Sequence, residues 1–318
     1  SVNIIAGEGA EKQILWTIDS VKEVADEIII VDTGLSADTI KMIEGNPLVQ
    51  LIDGPSPMDE GFSVPRNLAV ANSIMDWILW IDTDEKIINA KALRRYLQSN
   101  NFNGYSLHQH HFTIDADFEP DRPVRLFRNH KTGDQKLKFF GIVHEHPETE
   151  MNKGPGTTLT ISEVAIAHTG YLNEETRQGR FARNYPLLQK GMQENPDRLL
   201  QRHFIMRDEM LLCGYELQRN GGKITPSMLN RAKFVCELFR DSFLGKSHYV
   251  GINSVKYYSE AMRMLGEGIE INYSFNVGKQ DVKDARPQTV RYLNFDEFML
   301  DFKNLHGKQA ELYEGKYY

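Results

Sequence analysis

The run Glu27-Ile28-Ile29-Ile30-Val31 sets four β-branched residues in a row behind a single charge. An unbroken run of this kind, with no polar alternation, reads as a strand buried on both faces of a parallel sheet. Such a strand needs a helix on each side, and the flanking text supplies them. Val2–Ala6 reads as a strand, and Ile14, Leu15, Ile18, Val21 and Val24 recur at helical spacing. Ser36, before Ala37-Asp38-Thr39, can cap the next helix. Leu48–Ile52 is a third strand, and Ser63 can cap a helix through Arg66, Asn67, Leu68 and Ala71. Trp77–Ile81 is a fourth strand running straight into Asp82-Thr83-Asp84-Glu85. This rhythm predicts βαβ units, hence an α/β fold with a Rossmann-like, mostly parallel sheet.

Further on, Gly104–His111, Val124–Arg128, Leu137–Val143 and Val164–His168 look like strands with fewer helices between them. They predict a mixed or antiparallel extension of the sheet. Beyond Tyr171 the text turns helical, with breaks at Asn195-Pro196, Asn220-Gly221-Gly222 and Gly245. Four helical segments in antiparallel pairs follow from this, a degenerate tetratricopeptide-like array. The expected domains are 1–172, an α/β sheet domain; 173–268, helical pairs; and 269–318, an α+β extension with strand-like Ile271–Phe275 and a helix near Asp296–Asn304.

At 41% hydrophobic and 25% charged residues, the chain of 318 residues is too apolar and too balanced for disorder. Its longest apolar runs are about five residues, as in Trp77–Ile81, against the ~20 that a membrane helix needs. No basic and apolar leader opens the chain, so no signal peptide is expected. Cys213 and Cys236 are too few and too isolated for a disulfide framework or a metal knuckle, which predicts a reducing, cytoplasmic setting. The net charge of −7 argues against broad binding of phosphate backbones.

The chemistry concentrates at strand ends. In open α/β sheets, ligands bind beyond the carboxyl ends of the strands. Asp82-Thr83-Asp84 puts two carboxylates there, suited to a hard cation such as Mn²⁺ or Mg²⁺ that shares its oxygen ligands with a substrate phosphate. Taken alone, an Asp-x-Asp pair is more often a solvated turn; its place after Trp77–Ile81 is what singles it out. Asp32 stands at the same place one unit earlier, where a carboxylate can accept hydrogen bonds from a nucleoside or merely open a turn. Seven of ten histidines (His108, His110, His111, His130, His144, His146 and His168) fall in one stretch of about 60 residues.

These residues resemble a known family. Val24–Gly34 is similar to the nucleotide-binding stretch of family-2 glycosyltransferases of the GT-A fold, and Phe62-Ser63-Val64-Pro65-Arg66-Asn67-Leu68-Ala69 to their "FS-x-x-RN-x-A" helix start. Trp77–Glu85 matches their strand and Asp-x-Asp. Arg125-Leu126-Phe127-Arg128-Asn129, Gly141-Ile142-Val143-His144-Glu145 and Ala167-His168-Thr169-Gly170-Tyr171 resemble "RLFRN", "G-x-VHE" and "H-x-GY". Arg183-Asn184 through Asp197 echoes the tail of a subgroup that includes bacterial peptide S-glycosyltransferases. The resemblance covers about residues 1–200. It implies a UDP-sugar donor and a divalent cation, Mn²⁺ or Mg²⁺, held by Asp84, Asp82 and His168, with His144 the rival histidine. Ala6, Gly7, Glu8, Asp32, Arg66, Asn67, Asp82 and Thr83 would face the nucleotide-sugar. Glu145 would be the base of an inverting transfer, with Asp115 and Asp117 in reserve.

The chain also departs from that pattern. The usual "KNE" after the first strand is Ala6-Gly7-Glu8-Gly9, and "TGS-x-D-x-T" becomes Thr33-Gly34-Leu35-Ser36-Ala37-Asp38-Thr39. Two other classes compete. A sugar-nucleotide nucleotidyltransferase would need a basic glycine-rich loop where Gly7-Glu8-Gly9 is acidic. A degenerate catalytic domain could serve as a binding module through the helical array. The acceptor stays open between a protein, a glycan, a lipid-linked sugar and a modified nucleobase. The helical tail is a candidate surface for a homo-oligomer.

Overall fold

The computed structural model describes residues 1–10, 13–99, 101–112, 121–133, 136–149, 155–172, 174–244 and 249–266. Asp115, Asp117 and the 269–318 extension lie outside the described residues. The chain divides into two compact units, the first comprising Ser1–Arg180 and the second beginning at Phe181.

The first unit is built on a mixed sheet. Its strands are β1 (Val2–Ala6), β2 (Ile28–Asp32), β3 (Val49–Asp53), β4 (Trp77–Trp80), β5 (Glu85–Ile88), β6 (Gly104–His111), β7 (Val124–Arg128) and β10 (Thr158–His168), in the order β3-β2-β1-β4-β7-β6-β10-β5. A two-stranded ribbon joins β8 (Lys138–Phe140) to β9 (His146–Glu148). The helices are α1 (Ile14–Val21), α2 (Ala37–Glu44), α3 (Pro57–Glu60), α4 (Ser63–Asn72) and α5 (Leu93–Leu97). The first four strands run parallel, and β7 enters antiparallel, as the change of texture after residue 103 predicts; β5 also pairs antiparallel, with β10.

β2 behaves as its sequence demands. Ile28 and Ile30 pack with Ile4, Ile14 and Ile18 on one face, while Ile29 and Val31 meet Ala69 on the other. Each fully buried side chain of this kind stabilises by roughly 1.5–3 kcal/mol. The strand ends are in line, with Ala6 opposite Asp32 and Asp32 opposite Asp53. The chain reverses its direction of travel across the sheet between β1 and β4, and the crevice at such a switch point is where ligands sit.

Three details differ from the sequence expectation. Ser63 is the first helical residue of α4 and makes no cap hydrogen bond; Phe62 precedes it, with its N–H donating to Ile142 O at 2.7 Å. The strand expected over Leu137–Val143 stops at Phe140, because Gly141 turns the chain with φ 106°. β5 goes unannounced, since Glu85-Lys86-Ile87-Ile88 is short and half charged. Backbone pairing to β10 and the hydroxyls of α1 make it a strand. Thr17 Oγ1 donates to Glu85 O at 2.7 Å, and Ser20 Oγ accepts from Ile87 N at 3.1 Å.

Helix α6 (Glu174–Glu194) begins in the first unit and continues into the second, where α7 (Leu199–Arg219), α8 (Pro226–Phe243) and α9 (Tyr249–Met264) follow. Thr225 caps α8, accepting from Met228 N at 3.2 Å, with Pro226 in the first turn where its missing N–H costs nothing. Both cysteines are buried and neither forms a disulfide, and Phe239 stacks on Tyr258 at 4.4 Å. Among the described residues no helix is long and apolar enough to cross a membrane.

His203 of α7 is a pH-sensitive point of this unit. Its Nδ1 lies 2.9 Å from Ser254 Oγ, and burial, with Arg207 and Lys256 nearby, lowers its pKa to about 4. Between about 4 and the unfolded value near 6.5, the unfolded chain binds the extra proton. Stability from this group is therefore complete above about 6.5 and lost as pH falls towards 4. In His203→Gln, thermal unfolding followed across that window should lose this share of the slope; an unchanged slope would assign it elsewhere.

Candidate active site at the carboxyl edge of the sheet

Three groups of side chains gather where β1, β2 and β4 end. The first surrounds Arg66, on the second turn of α4. Its Nη2 donates to Asp82 Oδ1 at 2.6 Å and its Nε to Glu145 Oε1 at 2.5 Å, with the guanidinium 4.4 Å from the Trp80 ring centre. Glu145 reaches this point because the loop carrying it lies against the start of α4. A Cβ on Gly61 (φ 86°) would come within 2.7 Å of Ile142 Cα, so only glycine permits that approach. Arg125, from β7, stacks on Trp80 at 3.8 Å and donates to Glu85 Oε1 at 2.7 Å, with its Nη1 3.9 Å from Asp82 Oδ2. Glu85 also accepts from Asp82 N at 2.9 Å and from Gln109 Nε2 at 2.5 Å.

Electrostatics follow from this packing. Burial by itself would raise Asp82, but the charges of Arg66 and Arg125 overcome it and hold its pKa below the usual carboxylate range. Glu85 goes the other way. Burial, reinforced by Asp82 and Asp84, pushes it up to about 8 against the pull of Arg125.

The second group surrounds Asp84. Arg180 Nη2 donates to Asp84 Oδ2 at 3.0 Å, and its Nη1 lies 3.2 Å from His168 Nε2. His168 Nε2 is 3.4 Å from the same Asp84 oxygen, and His168 Nδ1 is 2.7 Å from His111 Nδ1. A guanidinium can only donate, so His168 Nε2 is the acceptor and its proton sits on Nδ1. His168 then donates to His111 Nδ1, and His111 Nε2 faces Asp121 Oδ2 at 3.4 Å. Burial lowers the pKa of His168 and favours this neutral form. The backbone of Asp84 is fixed by Thr169, whose N and Oγ1 both donate to Asp84 O at 3.0 Å.

Asp84 Oδ2 and His168 Nε2 thus present two lone pairs to one cationic centre. Gly170 leaves the space open: a Cβ there would come 2.5 Å from Asp84 Oδ2, 2.5 Å from His168 Nε2 and 2.7 Å from Arg180 Cζ. Among the described residues, no three His, Cys, Asp or Glu side chains converge on one point. Divalent cations in phosphate-transfer sites usually take one or two carboxylates and complete their shell with substrate phosphate and water. The Asp84–His168 edge fits that pattern, and the cation position is held by Arg180. Gly170→Ala should therefore cost about 1–3 kcal/mol of stability, read by thermal unfolding. A variant as stable as the wild type would show that a side chain fits there.

The third group is the nucleoside end. Thr33 N and Oγ1 donate to Ala6 O at 2.8 and 3.1 Å, and a Cβ on Gly7 would lie 2.8 Å from Thr33 Oγ1. Asp32 Oδ1 accepts from Gly34 N at 2.8 Å and Leu35 N at 2.7 Å, so one carboxylate oxygen builds the turn. Glu8 is exposed at the rim.

The expected site residues therefore separate. Asp84 and His168 meet. Asp82 sits across from them with Arg66 and Glu145, and Thr83 gives its carbonyl to Thr17 Oγ1 at 2.9 Å. Asn67 commits both ends of its amide to the Phe139 backbone, at 2.8 and 2.7 Å, and so ties α4 to β8. His144 takes a left-handed φ of 53° in the turn before Glu145, and it is His168 that reaches Asp84. Sequence reasoning passed over Arg180, Glu85, Gln109 and the contact of His111 with His168. Arg125 lies in the stretch resembling "RLFRN", whose text alone does not show that it joins Glu85 and Asp82.

No family model matches the chain. Among curated proteins it is 27% identical over 182 residues to a TPR repeat-containing protein of Synechococcus elongatus, covering 56% of this chain and 44% of that one. It is 25% identical over 213 residues to the SPbeta prophage-derived glycosyltransferase SunS of Bacillus subtilis, covering 63% and 47%. The chain spans less than half the length of these relatives. A solved structure of S. aureus TarS (residues 1–349) in complex with UDP-GlcNAc superposes with a TM-score of 0.48 at 14% identity, covering 85% of this chain and 93% of that one. In sequence, the chain is similar to a bacterial glycosyltransferase and to a TPR-repeat protein, and it folds as an α/β sheet unit followed by helices.

Proposed function

We propose that the chain is a divalent-cation-dependent, inverting glycosyltransferase that takes a UDP-sugar as donor. The observation that carries this reading is the convergence of Asp84 Oδ2 and His168 Nε2, 3.4 Å apart, beside the buried Arg66–Asp82–Glu145 network at the strand ends. The sequence similarity to a curated glycosyltransferase supports it. Asp84 and His168 would hold Mn²⁺ or Mg²⁺, which supplies positive charge to a leaving diphosphate. Asp32 and the Ala6–Glu8 turn would receive the nucleoside.

The chain's own residues do the remaining work. Arg66 orients Asp82 and Glu145 with one rigid fork, and its planar donors leave both carboxylates little freedom. Glu145 takes the proton from the acceptor's nucleophilic atom as that atom attacks the anomeric carbon opposite the diphosphate. The acceptor is read here only as a group bearing such a proton: on a protein, a glycan, a lipid-linked sugar or a modified nucleobase. Cys213 and Cys236, buried and not in a disulfide, suit a reducing compartment.

The test is a thermal-shift panel of nucleotide sugars with and without Mn²⁺. Ligand at 100 times its Kd adds about 2.7 kcal/mol to the folded state. A UDP-sugar with Mn²⁺ should give the largest shift, and it should vanish in Asp84→Ala. A flat panel, or full turnover by Asp84→Ala, overturns the proposal.

A further inference from the structure

Arg180 is the feature that the proposed reaction does not absorb. Its Nη2 donates to Asp84 Oδ2 at 3.0 Å, its Nη1 caps the lone pair of His168 Nε2 at 3.2 Å, and the guanidinium lies 5.0 Å from the Tyr171 ring centre. Its guanidinium is about a quarter exposed, so it can leave without unpacking the core. A guanidinium keeps its charge in proteins, so the contact with Asp84 is an ion pair. Glycine at 170 keeps side-chain carbon out of this meeting point. In the protein as it stands, then, the two donors that suit a divalent cation already hold a monovalent one.

Charge counting says what must follow. Arg66, Arg125 and Arg180 face Asp82, Asp84, Glu85 and Glu145. Three guanidinium charges thus already stand among the four carboxyl groups before any ligand arrives. A bare divalent cation would have to displace Arg180 from Asp84 and leave that guanidinium facing two added charges at close range. A nucleoside diphosphate arriving with the cation reverses this, because its oxygens give the freed guanidinium a bidentate partner.

Resting on the glycosyltransferase reading, we propose that Arg180 is an exchangeable counter-ion: it occupies the Asp84–His168 edge until a nucleoside diphosphate draws it away and a divalent cation takes its place. The exchange couples the two ligands. Each tightens the other by the same factor, since binding free energies are reciprocal. It also holds the cation site closed to free metal when no donor is bound.

The experiment titrates Mn²⁺ into the full chain, following free Mn²⁺ by EPR and heat by calorimetry, with and without UDP. In the wild type, UDP should tighten Mn²⁺ on the order of 10–100-fold. Arg180→Gln should bind Mn²⁺ about tenfold more tightly without UDP, because the competitor is gone, and UDP about tenfold more weakly with Mn²⁺ present. Arg180→Lys retains a competing charge and should stay within about threefold of the wild type in Mn²⁺ affinity. An unfolding scan of each variant verifies the fold. Unchanged or weaker Mn²⁺ binding in Arg180→Gln without UDP overturns the exchange, as does an equal rise in the Gln and Lys variants. If the wild type binds no Mn²⁺ even with UDP, the cation reading fails first, and the exchange falls with it.

Discussion

Glu145→Gln is expected to lower kcat by about 10²–10⁴, roughly 3–5 kcal/mol of barrier, while the affinity for a UDP-sugar stays within about threefold. The reason for choosing glutamine is geometric. Glu145 Oε1 accepts from Arg66 Nε at 2.5 Å, and the amide oxygen of glutamine can accept the same bond. Arg66 therefore keeps its place over Trp80 and its second bond to Asp82. What the variant loses is the capacity to take a proton. A fall in kcat with donor binding intact is the signature of a group that acts only in the transition state. If donor affinity and kcat fall together, Glu145 serves to position Arg66. If neither moves, the base lies elsewhere.

The strands that frame this site were legible because burial on both faces leaves a mark that nothing else leaves. Ile28 to Val31 could hardly be a surface strand, and Trp77 to Ile81 carries its carboxylates at the right end. The loops after these strands could be read as ligand-facing for the same reason, since backbone order there follows from sheet topology. The Asp-x-Asp text could not show that its two carboxylates part company. Asp82 turns to Arg66 and Asp84 to His168 because the chain leaves β4 in a turn, with Glu85 N donating to Asp82 O at 3.1 Å, where the two-residue repeat of a strand no longer holds. Arg180 was out of reach for a different reason. It lies 96 positions from Asp84, on a helix whose text reads as the start of the tail. Only the fold brings that turn of α6 to the end of β4. Gln109 and His111 read as ordinary residues of a strand, and Glu85 as the last residue of an acidic turn, until pairing with β10 fixes which face they present.

Arg66→Met is expected to be the most damaging single substitution to stability. Arg66 is 6% exposed and stands between two carboxylates, one of which, Glu145, is itself 8% exposed. Methionine fills much the same volume over Trp80, so the loss is chiefly of charge. Removing one partner of a buried ionic network leaves the other uncompensated, at about 3–5 kcal/mol. Arg125 does not replace it: its Nη1 is 3.9 Å from Asp82, beyond hydrogen-bond distance. For a unit of this size the loss corresponds to a Tm lower by roughly 6–20 °C. The double variant Arg66→Met/Glu145→Gln should recover about 1–3 kcal/mol, because a neutral amide tolerates the site that an unpaired carboxylate does not. The pH dependence should invert as well. In the wild type, Asp82 has a depressed pKa, so its contribution is present above the unfolded value of about 3.9 and is lost as pH falls through the folded one. Without Arg66, Asp82 loses the charge that most holds its pKa down, and the variant should become relatively more stable as pH falls from 7 towards 5. Thermal unfolding of the single and double variants at both pH values decides the matter. Strict additivity, or a single variant that loses under 1 kcal/mol, would mean that the network around Arg66 is not what holds this edge of the sheet together.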